Sequence, residues 1–374
     1  MQKTAALSVE VEHKVLSSGS GSFASLRKER YFAERLRPLL FVAVFVCVFY
    51  LALAASLKGF EWTLPIDVLS GRASKASEVI FYNVRLPRTA TAAVVGAALA
   101  LAGAVMQNVL RNPLASASTL GVSQGAAFGA ALAITFFHAG IGTDGNLGAA
   151  LTVTSPAVVT VFSFIFGVAS GAVILALSLV TRISSATMIL SGIALGAMFT
   201  GGTAIIQYFA DDIKVASIVY WTFGDLGRTG WTQIGALAAA LLTAFAYFYR
   251  NAWNYNALAN GVYTAKSLGI PVGVVLVVGM LVSCLLSSLA VAFVGTIGFV
   301  GLIAPHLARR FTGSNHRYLL ISSVFCGAVL FLMGAEVFSR FIVPPAVLPI
   351  GAITSFLGAP VFLYMIFKAD GWSK

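Results

Sequence analysis

Long apolar runs alternate with short polar breaks along almost the whole chain. The first run, Leu39 to Leu57, has 19 residues, enough to cross a hydrocarbon core about 30 Å thick. Nine further apolar segments lie near residues 88–106, 114–137, 155–180, 187–209, 232–249, 272–293, 298–310, 319–338 and 348–367. The eighth of the ten, 298–310, is too short to span alone and carries Pro305. It must begin or end inside protein, where neighbouring helices shelter its backbone. The pattern predicts an all-α polytopic membrane protein with about ten transmembrane helices. Residues 1–37 form a polar tail and residues 38–368 the membrane domain.

Within the tail, "SSGSGSFAS" reads as a flexible linker. "RKERYFAERLR" then sets five basic residues just before the first run. The tail is expected to be disordered to about Ser25, then helical and cytoplasmic. Ala52-Leu53-Ala54 imitates a signal-peptidase site. The long preceding segment and the length of the run argue against a cleaved leader.

Composition agrees with a bilayer. Hydrophobic residues make up 59% of the chain and charged residues 10%, against about 25% charged in soluble domains. Mean hydropathy is +0.91. The net charge of +11 does not signal nucleic acid, because the basic residues lie between apolar spans and not along one face. Ten spans put both termini on one side. With the termini inside, 16 Lys and Arg fall on inner segments and 8 on outer ones, which favours an N-in, C-in orientation. Seven of the inner residues belong to the tail, so the tail carries most of that asymmetry.

Candidate chemistry is sparse. The 13 acidic residues are spread over loops. The cysteines Cys47, Cys284 and Cys326 lie inside apolar runs, with no disulfide or metal spacing. His306 follows Pro305 and reads as a helix-end residue bonded to backbone. "NGVYTAKS", residues 260–267, is the nearest approach to a P-loop, but Asn260 and Ala265 stand at its two Gly positions. Ion-coupled carriers place ionisable residues inside their spans. Here Glu336 and Arg340, at an i, i+4 spacing that suits a pair, are the exceptions. No enzyme or nucleotide site emerges, and if the chain moves a solute uphill the scarcity of such residues points to an external energy source and away from a proton or sodium relay. No cofactor or metal is expected on the chain.

Small residues recur at helical spacing: Gly96, Ala100 and Gly103; Gly121, Gly125 and Gly129; Gly192 and Gly196. Such residues let helix backbones approach closely in lipid. Between the second and third runs, "MQNVLRNPLASASTLGVSQGAAFGA" groups Gln107, Asn108, Arg111 and Asn112. This reads as a helix break, with Pro113 opening the next helix.

Several long stretches resemble one family. "RLPRTATAAVVGAALALAGAVMQNVLRNPLASASTLGVSQGAA" resembles the signature of the FecCD-like permeases, the membrane subunits of ABC importers for iron-siderophores, haem and vitamin B12. "GTIGFVGLIAPHLARRFTGSNHR" and "LPIGAITSFLGAPVFLYMIFK" resemble its second and C-terminal signatures. "TMILSGIALGA" and "YWTFGDLGRTGW" resemble intermediate blocks, so that the likeness covers about residues 40 to 368.

The resemblance implies a type II ABC importer permease fold in the bacterial cytoplasmic (inner) membrane. It also implies a second permease subunit, identical or closely related, and two ATPase subunits that use ATP and Mg. A periplasmic or lipid-anchored substrate-binding protein completes the set. The expected cargo is a metal chelate, iron(III)-siderophore first, with haem or a corrinoid as the alternative. An ion-coupled secondary carrier is the competing class.

Residue roles implied by the resemblance are these. Arg85, Arg88 and Arg340 receive carboxylates of the binding protein. Asn112 and Leu114 narrow the cytoplasmic end of the pathway, and Ser185 and Ala186 form a second gate. Ala186 replaces a hydroxyl residue of the family pattern. "NYNALANGVYTAKSLGIPVG", within a coupling segment at about 251–271, matches an element of two short helices that meets the ATPase. Asn260, Gly261, Ala265, Leu268 and Gly269 belong to it. The acidic residue that usually follows the glycine is absent: Val262 and Tyr263 stand there. Glu336 replaces an Asp.

Overall fold

The computed structural model describes residues 40–370, except 57–58, 138, 140, 143–151, 154, 182–184 and 342–347. The predicted N-terminal tail lies outside the described residues. The chain divides into two compact units, residues 1–46 and 47–374. Of the first, the described part is the opening of a helix, and the packing below concerns the second.

The described residues form helices joined by short connections. Helix α1 (Leu40–Ala54) ends in a two-residue strand pair, β1 (Ala55–Ser56) with β2 (Gly59–Phe60). Two short helices follow, α2 (Leu64–Leu69) and α3 (Lys75–Ile80). Helix α3 runs through a π-turn at Phe81–Arg85 into α4 (Leu86–Val109). Next come α5 (Val122–Phe136), a second strand pair of β3 (Ile141–Gly142) and β4 (Thr152–Val153), α6 (Pro156–Thr181) and α7 (Ser185–Phe209). Then follow α8 (Asp212–Phe223) and α9 (Trp231–Arg250). The short pair α10 (Ala252–Ala259) and α11 (Val262–Ser267) leads to α12 (Val272–Val294) and α13 (Val300–Thr312). Helix α14 (His316–Phe331) continues through a second π-segment, Leu332–Phe338, into α15 (Ser339–Phe341), and α16 (Ile350–Asp370) is last.

Among the described residues, six helices are long and apolar enough to cross a membrane: Lys75–Val109, Pro156–Ser178, Thr187–Phe209, Trp231–Arg250, Val272–Val294 and His316–Gly334. Leu40–Ala54, Val122–Phe136 and Ile350–Met365 are shorter apolar helices. Each predicted apolar segment thus contains a helix, and the eighth is the short α13.

Helix α4 is the centre of the packing, against α9, α12, α13 and α14. The apolar stretch of Lys75–Val109 is 89% buried within the protein, against 17% for that of α7. Glycine makes this possible. A Cβ on Gly96 would overlap the Gly327 carbonyl oxygen on α14, and one on Gly103 would overlap that of Gly301 on α13. Gly125 and Gly129 likewise bring α5 onto the backbone of α6 at Phe166 and Phe162. The small-residue spacing read from the sequence therefore marks real helix contacts.

Three expectations change. The second span does not begin at residue 88, because the helix is continuous from Lys75. Pro87 has no N–H to give the ladder, and the π-turn absorbs the defect. Leu86 N–H donates to the Phe81 carbonyl, five residues back. The third segment does not begin at Pro113, because α5 starts only at Val122. In the intervening turn Ser116 N–H donates to Thr119 Oγ1 at 2.8 Å and Thr119 Oγ1–H donates to the Ser116 carbonyl at 3.0 Å. Such side-chain bonds compete with helix formation. Helix α8 was not anticipated. Asp211 caps it by accepting from Lys214 N–H, and it buries Ser217, Ile218 and Trp221.

Candidate functional sites at the two ends of the central helix

Arg88 and Asn108 lie 20 residues apart on α4. At 1.5 Å per residue that separates them by about 30 Å, the thickness of a hydrocarbon core. Arg85, Arg88 and Arg340 lie at one of these ends, and Asn112, Leu114 and the short helices α10 and α11 lie at the other.

At the first end, Arg85 donates to Glu61 at 2.9 Å and Arg88 to Asp225 at 3.4 Å. Both arginines are largely buried, at 12% and 14% side-chain exposure, whereas the two carboxylates are about half exposed. Glu61 is held by its backbone N–H, which donates to the Ala54 carbonyl. Asp225 is fixed twice: its N–H donates to the Val294 carbonyl, and its carboxylate accepts from Gly227 N–H at 2.9 Å. Arg340 joins the same end by donating to the Ala55 carbonyl. The three arginines named from the sequence thus share one end, and each is engaged within the chain. Sequence reasoning missed Glu61 and Asp225, which lie 24 and 137 residues from their partners. The side chain of Glu336 is outside the described residues, so the proposed pair with Arg340 is not described.

At the second end two short helices, α10 and α11, form a hairpin within residues 251–271. Asn260 closes α10, and Gly261 (φ +119°) precedes α11 in a conformation that glycine favours. Ala265 is buried and Gly269 (φ +76°) ends the hairpin. Trp253, Tyr263 and Leu268 face outward at 73%, 88% and 61% exposure. The hairpin is anchored by Tyr255, which is fully buried. Its carbonyl accepts from Asn108 Nδ2 of α4 at 3.1 Å, and its ring lies 6.0 Å from that of His316 at the start of α14. Asn256 Oδ1 accepts from His316 N–H at 2.7 Å and from Nδ1 at 3.0 Å. Burial pushes the Tyr255 phenol up from its ordinary value, and nearby Tyr247 adds to the effect. It stays protonated at any working pH.

Asn112 and Leu114 lie in the turn beside this end. Asn112 Oδ1 accepts from Leu114 N–H at 2.8 Å, and the Leu114 side chain is exposed. Ser185 opens α7 and Ala186 follows it in the first turn; their side chains are outside the described residues. His306 is bonded to backbone, its Nδ1 donating to the Leu302 carbonyl at 2.9 Å. No group of His, Cys, Asp and Glu among the described residues has the arrangement of a metal site.

Several long apolar helices, a pair of short helices with exposed aromatic residues at one end and three arginines at the other are the marks of a multi-pass membrane protein. The chain belongs to the FecCD transport family, whose model matches residues 42–368; it is an ABC transporter permease of that family. A Methanocaldococcus jannaschii protein named as an ABC transporter permease, MJ0087, is 47% identical over 303 residues, covering 81% of this chain and 86% of that protein. The hemin transport system permease protein HmuU of Yersinia pestis is 34% identical, covering 77% of this chain and 83% of its own length. The vitamin B12 import system permease protein BtuC of Klebsiella pneumoniae is 33% identical over 84% and 88%. Among solved structures, a metal-chelate type ABC transporter in an inward-facing conformation superposes with a TM-score of 0.75 at 28% identity, covering 88% of this chain and 98% of that one.

Proposed function

We propose that the chain is the translocating subunit of an importer that carries a metal chelate across the cytoplasmic membrane, with iron(III)-siderophore as the cargo. It has about ten transmembrane helical segments, the short α13 sheltered among the others, with both termini inside. It works beside a second permease subunit, identical or closely related. Two ATPase subunits engage the α10–α11 hairpin, and a substrate-binding protein docks at Arg85, Arg88 and Arg340. ATP and Mg belong to the ATPase partners.

The observation that carries this reading is the separation of the two sites along α4. One end offers cations that can receive carboxylates, and the other offers exposed Trp253, Tyr263 and Leu268 on a hairpin with its own buried anchor. Charge-assisted Arg–carboxylate contacts give docking register and encounter rate. The aromatic face suits a groove in a protein partner. It replaces the acidic contact that is absent after Gly261.

Haem or a corrinoid is the second reading, supported by the relatives named for hemin and vitamin B12 at nearly equal identity. The test is to purify the complex with its binding protein and identify the bound ligand by mass spectrometry. An iron(III)-siderophore is the expected result. Haem or a corrinoid would replace the cargo and keep the class, and a ligand with no metal would overturn both.

A further inference from the structure

Gln107 and Asn108 close α4 just before the turn that holds Asn112 and Leu114. Neither has a role in docking or in the gate as read from the sequence. The structure ties each to two things at once. Their backbone carbonyls hold the turn: Asn112 N–H donates to the Gln107 carbonyl and Arg111 N–H to that of Asn108, both at 3.0 Å. Their side chains reach out to separate helices. Gln107 Oε1 accepts from Arg309 of α13 at 2.6 Å, and its Nε2 faces the carbonyls of Gly301 and Leu302 at 3.4 and 3.3 Å. Asn108 Nδ2 donates to the Tyr255 carbonyl of the hairpin at 3.1 Å.

Both side chains are buried, at 3% and 7% exposure. A buried amide stripped of its partner loses far more than an exposed one, so these bonds are not easily exchanged for water. The turn itself is under local strain. Arg111 has φ +48°, one of two non-glycine residues with positive φ among the described residues, a conformation that costs a non-glycine residue and persists only where its surroundings impose it. Those surroundings are the two carbonyls of residues 107 and 108.

We propose that Gln107 and Asn108 are positioning residues that transmit movement of the hairpin and of α13 to the turn at 110–121. Asn108 couples the hairpin and Gln107 couples α13, so the turn can change only with both. The inference rests on the reading that the hairpin meets the ATPase. Discrete bonded elements of this kind can carry coupling between distant sites.

The test uses the full complex of permease and ATPase subunits. Hydrogen–deuterium exchange is followed over 252–267 and 110–121, with and without Mg-ATP and orthovanadate. In the wild-type complex both segments are expected to respond. In Asn108→Leu, which keeps the volume and removes the donor, the hairpin response is expected to persist while the response of 110–121 is lost. Chelate transported per ATP is expected to fall about 2- to 30-fold, the span by which network residues change a coupling. Gln107→Leu should behave alike, and Gln107→Glu, which still accepts from Arg309 but loses the donor facing the Gly301 and Leu302 carbonyls, should restore part of the ratio. This second pair decides the matter if Asn108→Leu does not assemble. An intact response of 110–121 with an unchanged ratio in the leucine variants overturns the inference. A wild-type hairpin that ignores ATP overturns the ATPase reading on which it rests.

Discussion

Arg85 and Arg88 already hold carboxylates of their own chain, so an incoming partner meets occupied cations. Glu61 and Asp225 are about half exposed, so an incoming carboxylate can replace one of them without leaving the largely buried guanidinium unpaired. Exchange of one carboxylate for another is therefore cheap. The arginines are held in register by their own carboxylates, so that on the proposed reading the docking surface is preformed. Reversing both charges, Arg85→Glu with Arg88→Glu, is expected to weaken binding of the substrate-binding protein and flatten its salt dependence. Surface plasmon resonance on the reconstituted complex checks this, and unchanged affinity would remove the docking assignment. Tyr255 makes the opposite kind of case. Its ring packs near His316, Phe248 and Gly279, yet its hydroxyl has no hydrogen-bond partner among the described residues. Tyr255→Phe is expected to leave the thermal midpoint of the purified complex unchanged or to raise it. Tyr255→Ala should cost about 3–5 kcal/mol, as for other large buried aromatics. A large loss in the phenylalanine variant would mean that the hydroxyl is bonded in the assembly. The arginines were legible in the sequence through their motif. Glu61, Asp225 and Tyr255 were not, because nothing local marks a partner that lies tens of residues away.

The apolar runs identify most of the helices, since length and hydropathy are what a bilayer selects. They fail where local hydrogen bonding overrides hydropathy. Residues 114–121 are apolar enough to extend a helix, but Ser116, Thr119 and Gly121 (φ +72°) turn the chain instead. The result is a polar turn set against the end of α4, where a longer α5 would have left none. On the proposed reading this turn is the inner gate, and the Asn112 side chain makes one of the bonds that hold it. Asn112→Ala removes the acceptor for Leu114 N–H, and Leu114→Ala removes the exposed side chain. Both variants are expected to hydrolyse ATP while moving less chelate, measured as a fall in transport per ATP in proteoliposomes. Normal ratios in both would move the gate elsewhere. The π-turn at Phe81–Arg85 is a second case of local chemistry. Pro87 alone suggests a helix start, whereas the π-turn lets one helix run through it and turns Arg85 and Arg88 towards Glu61 and Asp225.

Across the whole molecule, the long buried helix α4 sits among others brought close by glycine, with a different kind of chemistry at each end. Backbone contact at Gly96 with Gly327, and at Gly103 with Gly301, gives α4 few ways to shift without carrying α13 and α14 along. That suits a subunit driven from outside better than one that titrates residues within the membrane. It also separates the two classes weighed from the sequence. An importer driven by ATPase partners needs a surface at each end, and an ion-coupled carrier needs charges between them. The most direct measurement is sided uptake of chelate into proteoliposomes. The binding protein is supplied on the arginine side and Mg-ATP on the hairpin side. Uptake is expected only in that arrangement, lost with an inactive ATPase and indifferent to ionophores. Uptake that survives an inactive ATPase and collapses when the ion gradient is dissipated would contradict the account.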